Sequence, residues 1–144
     1  MTESNQKRRV LAPTDFSTLS TNAVRVADRI AIERNASLTL LHVHPIVQTT
    51  FLDMTYTEPP EKLSEAVTFL EDKLSFLAKS LSCTHIQQKV LIGSAVEQIV
   101  NESSEHGLLV MSTYGRTGLS KLLMGSVAER VVRLSLCSLL IVKE

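Results

Sequence analysis

Leu108-Leu109-Val110-Met111-Ser112-Thr113-Tyr114-Gly115-Arg116-Thr117-Gly118, continued by Met124-Gly125-Ser126-Val127-Ala128-Glu129-Arg130-Val131, is the stretch from which the architecture follows. Leu108 to Met111 are apolar without a break, which suits a short strand covered on both faces. Gly115 and Gly118 release the chain into a loop. Helical spacing begins at about Ser126 and runs to Leu134. A buried strand feeding a helix through a glycine-bearing loop is the repeating unit of an α/β protein.

The unit recurs on either side. Arg9 to Pro13 reads as a strand closed by proline, and Leu19, Ala23, Val26, Ile30 and Ala31 then fall at helical spacing. Ser37 to Val43 is the next strand, ended by Pro45. Residues 46–58 show no clear period. A long helix follows from Pro59, with Leu63, Val67, Leu70, Leu74, Leu77 and Leu81 on one face. Ile86 to Ile92 is strand-like and Gly93 stops it. Ser94-Ala95-Val96-Glu97 is a capping box that opens a helix through about Ser104. Leu139 to Val142 is a last, wholly apolar strand. The expected fold is an open five-stranded parallel sheet of order 3-2-1-4-5 with helices on both faces, Rossmann-like. One domain is expected over residues 1–144, with residues 1–7 a solvated, disordered leader.

Composition narrows the function. Lys+Arg and Asp+Glu balance at 15 each, so no general charge draws the chain to nucleic acid or anionic lipid. No apolar run exceeds four residues, against the roughly 20 a membrane helix needs. The polar start, Met1 to Gln6, has no signal-peptide pattern. Cys83 and Cys137, the 2 cysteines, match no metal or redox spacing, and a reducing cytoplasm is the expected address.

A doubly wound sheet binds ligands beyond the carboxyl ends of its strands. Those ends are Pro13-Thr14-Asp15, His42-Val43-His44, and Ser112 onward. The loop from Ser112 to Ser126 has the chemistry of a polyphosphate site. Gly115 and Gly118 permit close backbone approach, and Gly125-Ser126 opens a helix whose free amides and dipole favour an anion. Thr117, Ser120 and Ser126 add hydroxyls; Arg116 and Lys121 add positive charge. Turn geometry alone also accounts for such glycines, and Ser126-Val127-Ala128-Glu129 is itself a capping box, with Ser126 as N-cap. Neither GxxxxGK[ST] nor GxGxxG is present.

The segment from Ser112 to Val132 resembles the signature of the universal stress protein family, Gly-x2-Gly-x9-Gly-[Ser/Thr] followed by Val-Ala-Glu-Arg-Val. Gly115, Gly125, Ser126 and Val127 to Val131 match it, and Ser112 takes the place of the first glycine. Leu11 to Ser17 and Leu38 to Val43 are similar to the ends of the family's first and second strands. The resemblance implies ATP as ligand, with its phosphates at Gly115, Gly118, Gly125 and Ser126 and its adenosine near Asp15 and Val43. Pro13, Thr14, Met111, Ser112, Arg116 and Val127 are expected to complete the binding site, and a Mg or Mn ion to ride on the phosphates. It also implies a homodimer through the C-terminal strand.

Other residues leave alternatives open. Asp15 suits ribose hydroxyls or a turn-forming cap of the next helix. His42 and His44 point to one side of a strand, but two ligands make a poor metal site. Phe51, Met54 and Tyr56 suit a ligand cover, a core or an interface. No nucleophile elbow, paired carboxylates or general base emerges. Three functions therefore compete: an ATP-binding module, a slow ATPase, and a nucleotide-free dimeric interaction protein.

Overall fold

The computed structural model describes residues 8–114 and 124–143. The leader and the loop residues Gly115, Arg116, Thr117, Gly118, Ser120 and Lys121 lie outside them. Strands β1 (Arg9–Pro13), β2 (Ser37–His44), β5 (Ile86–Ile92), β6 (Leu108–Ser112) and β7 (Ser138–Val142) form one sheet in the order β5-β2-β1-β6-β7. Every pairing in it is parallel. Renumbered within the sheet, this is the expected order 3-2-1-4-5. Helices α1 (Thr18–Glu33), α2 (Pro60–Lys79), α3 (Ala95–Ser103) and α4 (Ser126–Leu134) make the connections.

Alternation along the strands divides the core between the two faces. Val10, Ala12, Leu38, Leu40 and Val110 pack with Val24 and Ala27 of α1 and Leu74 of α2. Leu11, Leu41, Leu109 and Met111 pack with Val96 and Ile99 of α3 and Ala128 and Val131 of α4. Strands covered on both faces must be apolar throughout, which is why the sequence runs carry no alternation. In α2 the expected stripe faces the core: Leu70 and Leu74 are buried and Leu77 and Leu81 pack against the same cluster, while Phe69 and Phe76 on another face are exposed.

Residues 46–58 hold an element that periodicity did not announce. Strands β3 (Gln48–Phe51) and β4 (Met54–Thr57) form an antiparallel hairpin whose eight residues are all exposed. Its turn residues Leu52 and Asp53 have φ of 47° and 61°, the type I′ geometry usually supplied by Asn-Gly. A leucine held there costs about 1–2 kcal/mol. Phe51, Met54 and Tyr56 are therefore not core residues.

The turn from β1 into α1 is tied down by Thr14, which is 5% exposed. Its N–H donates to the Leu41 carbonyl at 2.8 Å, its Oγ1 accepts from the Phe16 N–H at 2.9 Å, and the same oxygen meets Ser20 Oγ at 2.9 Å. Its carbonyl accepts from His42 Nδ1 at 2.8 Å. These bonds hold Phe16 at a φ of 64°. Thr14→Val keeps the shape but strips the hydroxyl from two partners. It is expected to destabilise by about 1–3 kcal/mol, read as a lowered urea midpoint with unchanged slope.

A second buried knot lies on the α3 face. His106 Nδ1 donates to the Glu102 carbonyl at 2.7 Å, so Nε2 of the neutral ring accepts from Thr39 Oγ1 at 2.9 Å. Burial, above all, holds this imidazole below its usual pKa; the Glu102 carbonyl opposes that, and the Arg9 charge reinforces it. The unfolded chain takes up the proton first, so this contribution is full above about pH 6.5 and is lost as pH falls below it. The fall in urea midpoint between about pH 7.5 and about pH 5 is expected to be smaller in His106→Gln than in the parent chain.

Candidate functional site

Three strand ends and one helix start meet at the carboxyl edge of the sheet. Between them lies a cavity of about 270 Å³. Pro13, Thr14 and Asp15 reach it from β1, Val43 from β2, and Met111 and Ser112 from β6. Gly125, Ser126 and Val127 close it at the start of α4. Each sequence-predicted site residue within the described part of the chain thus lines a single cavity. The expected positions Gly115, Arg116 and Gly118 lie outside the described residues.

The β1 wall is rigid because the Thr14 bonds fix its turn. Asp15 Oδ1 accepts from the Ser17 N–H at 3.0 Å, and Ser17 is the N-cap of α1, its Oγ accepting from Ser20 N–H at 3.2 Å. Asp15 therefore performs the turn role and also lines the cavity. Val43 and Leu41 project to the α3–α4 side of β2 and form an apolar wall with Met111, Ile99 and Ala128.

Gly125 is the N-cap of α4, with φ −62° and ψ 153°. This corrects the capping-box reading, in which Ser126 held that place: Ser126 is the first helical residue. The glycine is not needed for an unusual φ. A Cβ at Gly125 would lie 3.1 Å from the Thr113 carbonyl oxygen and 3.2 Å from Tyr114 Cα. Its N–H donates to that same oxygen at 2.7 Å. Close backbone approach therefore demands the missing side chain. The first amides of a nine-residue helix stand at the cavity edge, where the helix itself gives them no acceptor.

Ser112 is a strand residue, so its extended backbone suits any side chain; its Oγ donates to the Tyr114 carbonyl at 3.1 Å. Sequence reasoning missed Ser20, Ala95 and Tyr114 as lining residues. Ser20 and Ala95 read only as helix positions, because their approach to the strand ends depends on how α1 and α3 cross the sheet.

His42 and His44 do share a side of β2, opposite Val43. His42 is occupied by Thr14 through Nδ1 and stacks on Phe16 with ring centroids 4.8 Å apart. His44 Nε2 lies 3.6 Å from a Glu58 carboxylate oxygen. Among the described residues no three His, Cys, Asp or Glu side chains are grouped to hold a metal ion.

Known proteins agree with this architecture. The pattern of the universal stress protein family matches residues 7–143. Universal stress protein MJ0531 of Methanocaldococcus jannaschii is 31% identical over 97% of this chain and 84% of its own. Universal stress protein YxiE of Bacillus subtilis is 30% identical over 94% of this chain and 98% of its own. The solved structure of UspA from Lactobacillus plantarum has the same fold, with a TM-score of 0.72 at 20% identity, covering 95% of this chain and 98% of that one. A universal stress protein solved in complex with cAMP gives a TM-score of 0.69 at 25% identity, covering 94% and 96%. A family pattern over nearly the whole chain and relatives of 30–31% identity agree: the chain belongs to the universal stress protein family.

Proposed function

We propose that this chain is an adenine-nucleotide-binding module that takes up ATP in the cavity between β1, β2, β6 and α4. One observation carries the reading: residues from three separate strand ends and a helix start, all named from the sequence, line one cavity. Its volume of about 270 Å³ is near the lower end of small-molecule sites, about 300–1,000 Å³. In this reading Asp15 accepts from ribose hydroxyls, the Val43 backbone meets adenine, and the Ser126 and Val127 amides take phosphate oxygens. Pro13, Thr14, Met111 and Ser112 form the walls, and Gly115, Arg116 and Gly118 join the phosphate side by family resemblance. A Mg or Mn ion arrives on the phosphates themselves. Occupancy acts through a partner surface, in a reducing cytoplasm where Cys83 and Cys137 remain thiols. Binding without turnover fits better than a slow ATPase, because among the described lining residues the Asp15 carboxylate is engaged by the Ser17 N–H and the His42 imidazole by the Thr14 carbonyl.

Calorimetric titration of nucleotide-free protein with Mg-ATP is expected to release heat and raise the melting temperature. Silence in both at millimolar ATP overturns the reading. A titration with cAMP in parallel distinguishes a general adenine site from a triphosphate site. Gly125→Val is expected to weaken ATP binding at least about tenfold, and to cost about 1–3 kcal/mol of stability by overpacking against Thr113 and Tyr114. Ser112→Gly restores the signature glycine and is expected to tighten binding; weaker binding would instead identify Ser112 Oγ as a ligand contact.

The partner we propose is a second copy, paired through β7. This strand is the edge of the sheet, carrying Leu139, Leu140, Ile141 and Val142. The Val142 carbonyl accepts from the Thr113 N–H, so Val142 turns its polar groups toward β6, and strand alternation turns those of Ile141 outward. An apolar edge of this kind is normally covered, and a two-fold copy covers it with the same strand run antiparallel. Ile141→Pro deletes the outward N–H, and light scattering after size exclusion is expected to show a lower mass than for the parent chain. A parent chain already at 15.9 kDa across micromolar concentrations refutes the pairing.

A further inference from the structure

The cavity does not end at Asp15 and Val43. A groove of about 400 Å³ opens beside it at the carboxyl ends of β1 and β2, and Asp15, His42 and Val43 line both spaces. Beyond these shared residues the groove is lined by His44 and Pro45 at the end of β2 and by Ala66, Phe69 and Leu70 of α2. Gly125, Ser126 and Val127, at the start of α4, line the cavity but not the groove. The two spaces therefore join on the side that holds ribose and base in the proposed reading, away from the phosphate side.

The walls of the groove suit an uncharged, apolar group. Pro45, Ala66, Phe69 and Leu70 offer carbon surface, and Phe69 is 63% exposed, so most of its ring meets water instead of protein. Lys73 Nζ lies 4.2 Å from the Phe16 ring centroid and 5.7 Å from that of Phe69, which ties this wall to the turn that carries Asp15. The groove's imidazoles are already engaged: His42 Nδ1 donates to the Thr14 carbonyl, and His44 Nε2 lies 3.6 Å from a Glu58 carboxylate oxygen. The Asp15 carboxylate stands where the two spaces join. Its charge disfavours a phosphate at the junction, whereas a neutral ester passes it.

We infer that the groove is a second compartment of the nucleotide site, and that it takes a planar apolar group carried on a ribose hydroxyl of the adenine nucleotide. Its role rests on the nucleotide reading above, in which Asp15 accepts from ribose hydroxyls. Asp15 is also the residue at the junction, so a group esterified to one hydroxyl enters the groove while the neighbouring hydroxyl still donates to the carboxylate. The ligand class is thus an adenine nucleotide acylated on its ribose, not one extended from its phosphates. A ring laid between Pro45 and Phe69 removes on the order of 100 Å² of apolar surface from water. After the loss of one hydroxyl hydrogen bond, a gain of about tenfold in affinity remains.

Calorimetric titration of nucleotide-free protein with Mg-ATP, and with Mg-ATP carrying an N-methylanthraniloyl ester on its ribose, tests the compartment. The ester is expected to bind about tenfold tighter than ATP, with a rise in its fluorescence. Phe69→Ser, at an exposed position, removes the aromatic wall, and Ala66→Trp fills the groove. Each is expected to bring the ratio of the two affinities to about one or below. The same fluorophore linked through the γ-phosphate is expected to bind no tighter than ATP and to be indifferent to both substitutions. An ester that binds no tighter than ATP overturns the second compartment and leaves the nucleotide reading standing. So does a tighter ester whose advantage survives both substitutions, because its ring then lies elsewhere. If neither ATP nor the ester binds, the nucleotide reading falls and the compartment falls with it.

Discussion

Thr14 stands where β1 stops and the chain must turn out of the sheet before α1 begins, and the site depends on how firmly it is held there. Its amide extends the parallel ladder by one bond to Leu41, its hydroxyl serves Phe16 and Ser20, and its carbonyl serves His42. Each bond is worth only about 1 kcal/mol net, but a buried group left without its partner costs more. The four bonds together fix where Asp15 and Pro13 stand relative to Val43, and they impose the positive φ of Phe16 that directs the chain into the helix. Aromatic stacking of Phe16 on His42 and the Lys73 ammonium 4.2 Å above the Phe16 ring brace the turn from outside.

The opposite wall is set by a contact rather than a network. Gly125 packs its Cα against the Thr113 and Tyr114 backbone, and this proximity brings the first turn of α4 to the end of β6. A helix start a few ångströms farther away would leave its free amides aimed at bulk water, where a dipole is worth little. The same glycine had two candidate explanations from sequence, turn geometry and the opening of an anion-binding helix start. The backbone distance favours a third, close packing of one segment on another, which makes the cavity's shape a consequence of core geometry.

Two surfaces depart from the economy of the rest. β7 ends the sheet with apolar residues and outward polar groups, and the β3–β4 arm exposes an apolar face at the cost of a strained turn. The arm sits outside both core clusters, whereas β7 packs Val142 against one and Leu139 and Ile141 against the other.

The sequence by itself determined the fold class, the strand order and much of the cavity's described lining. Apolar runs without alternation can be satisfied only between two helical layers, and right-handed crossovers leave few orders for five such strands. Once that order is known, the strand ends are known, and with them Pro13, Asp15, Val43 and Ser112. Tertiary structure alone decided the rest. Ser20 and Ala95 join the cavity because of helix crossing, which no local pattern encodes. Gly125 is a cap because of Thr113 and Tyr114, residues across a loop from it. The hairpin was invisible because Leu52, the first residue of its turn, is not one that favours positive φ, and because its apolar face, with no core to match, leaves too short a period to read. Local physics writes periodicity into a sequence only where burial within the same chain enforces it.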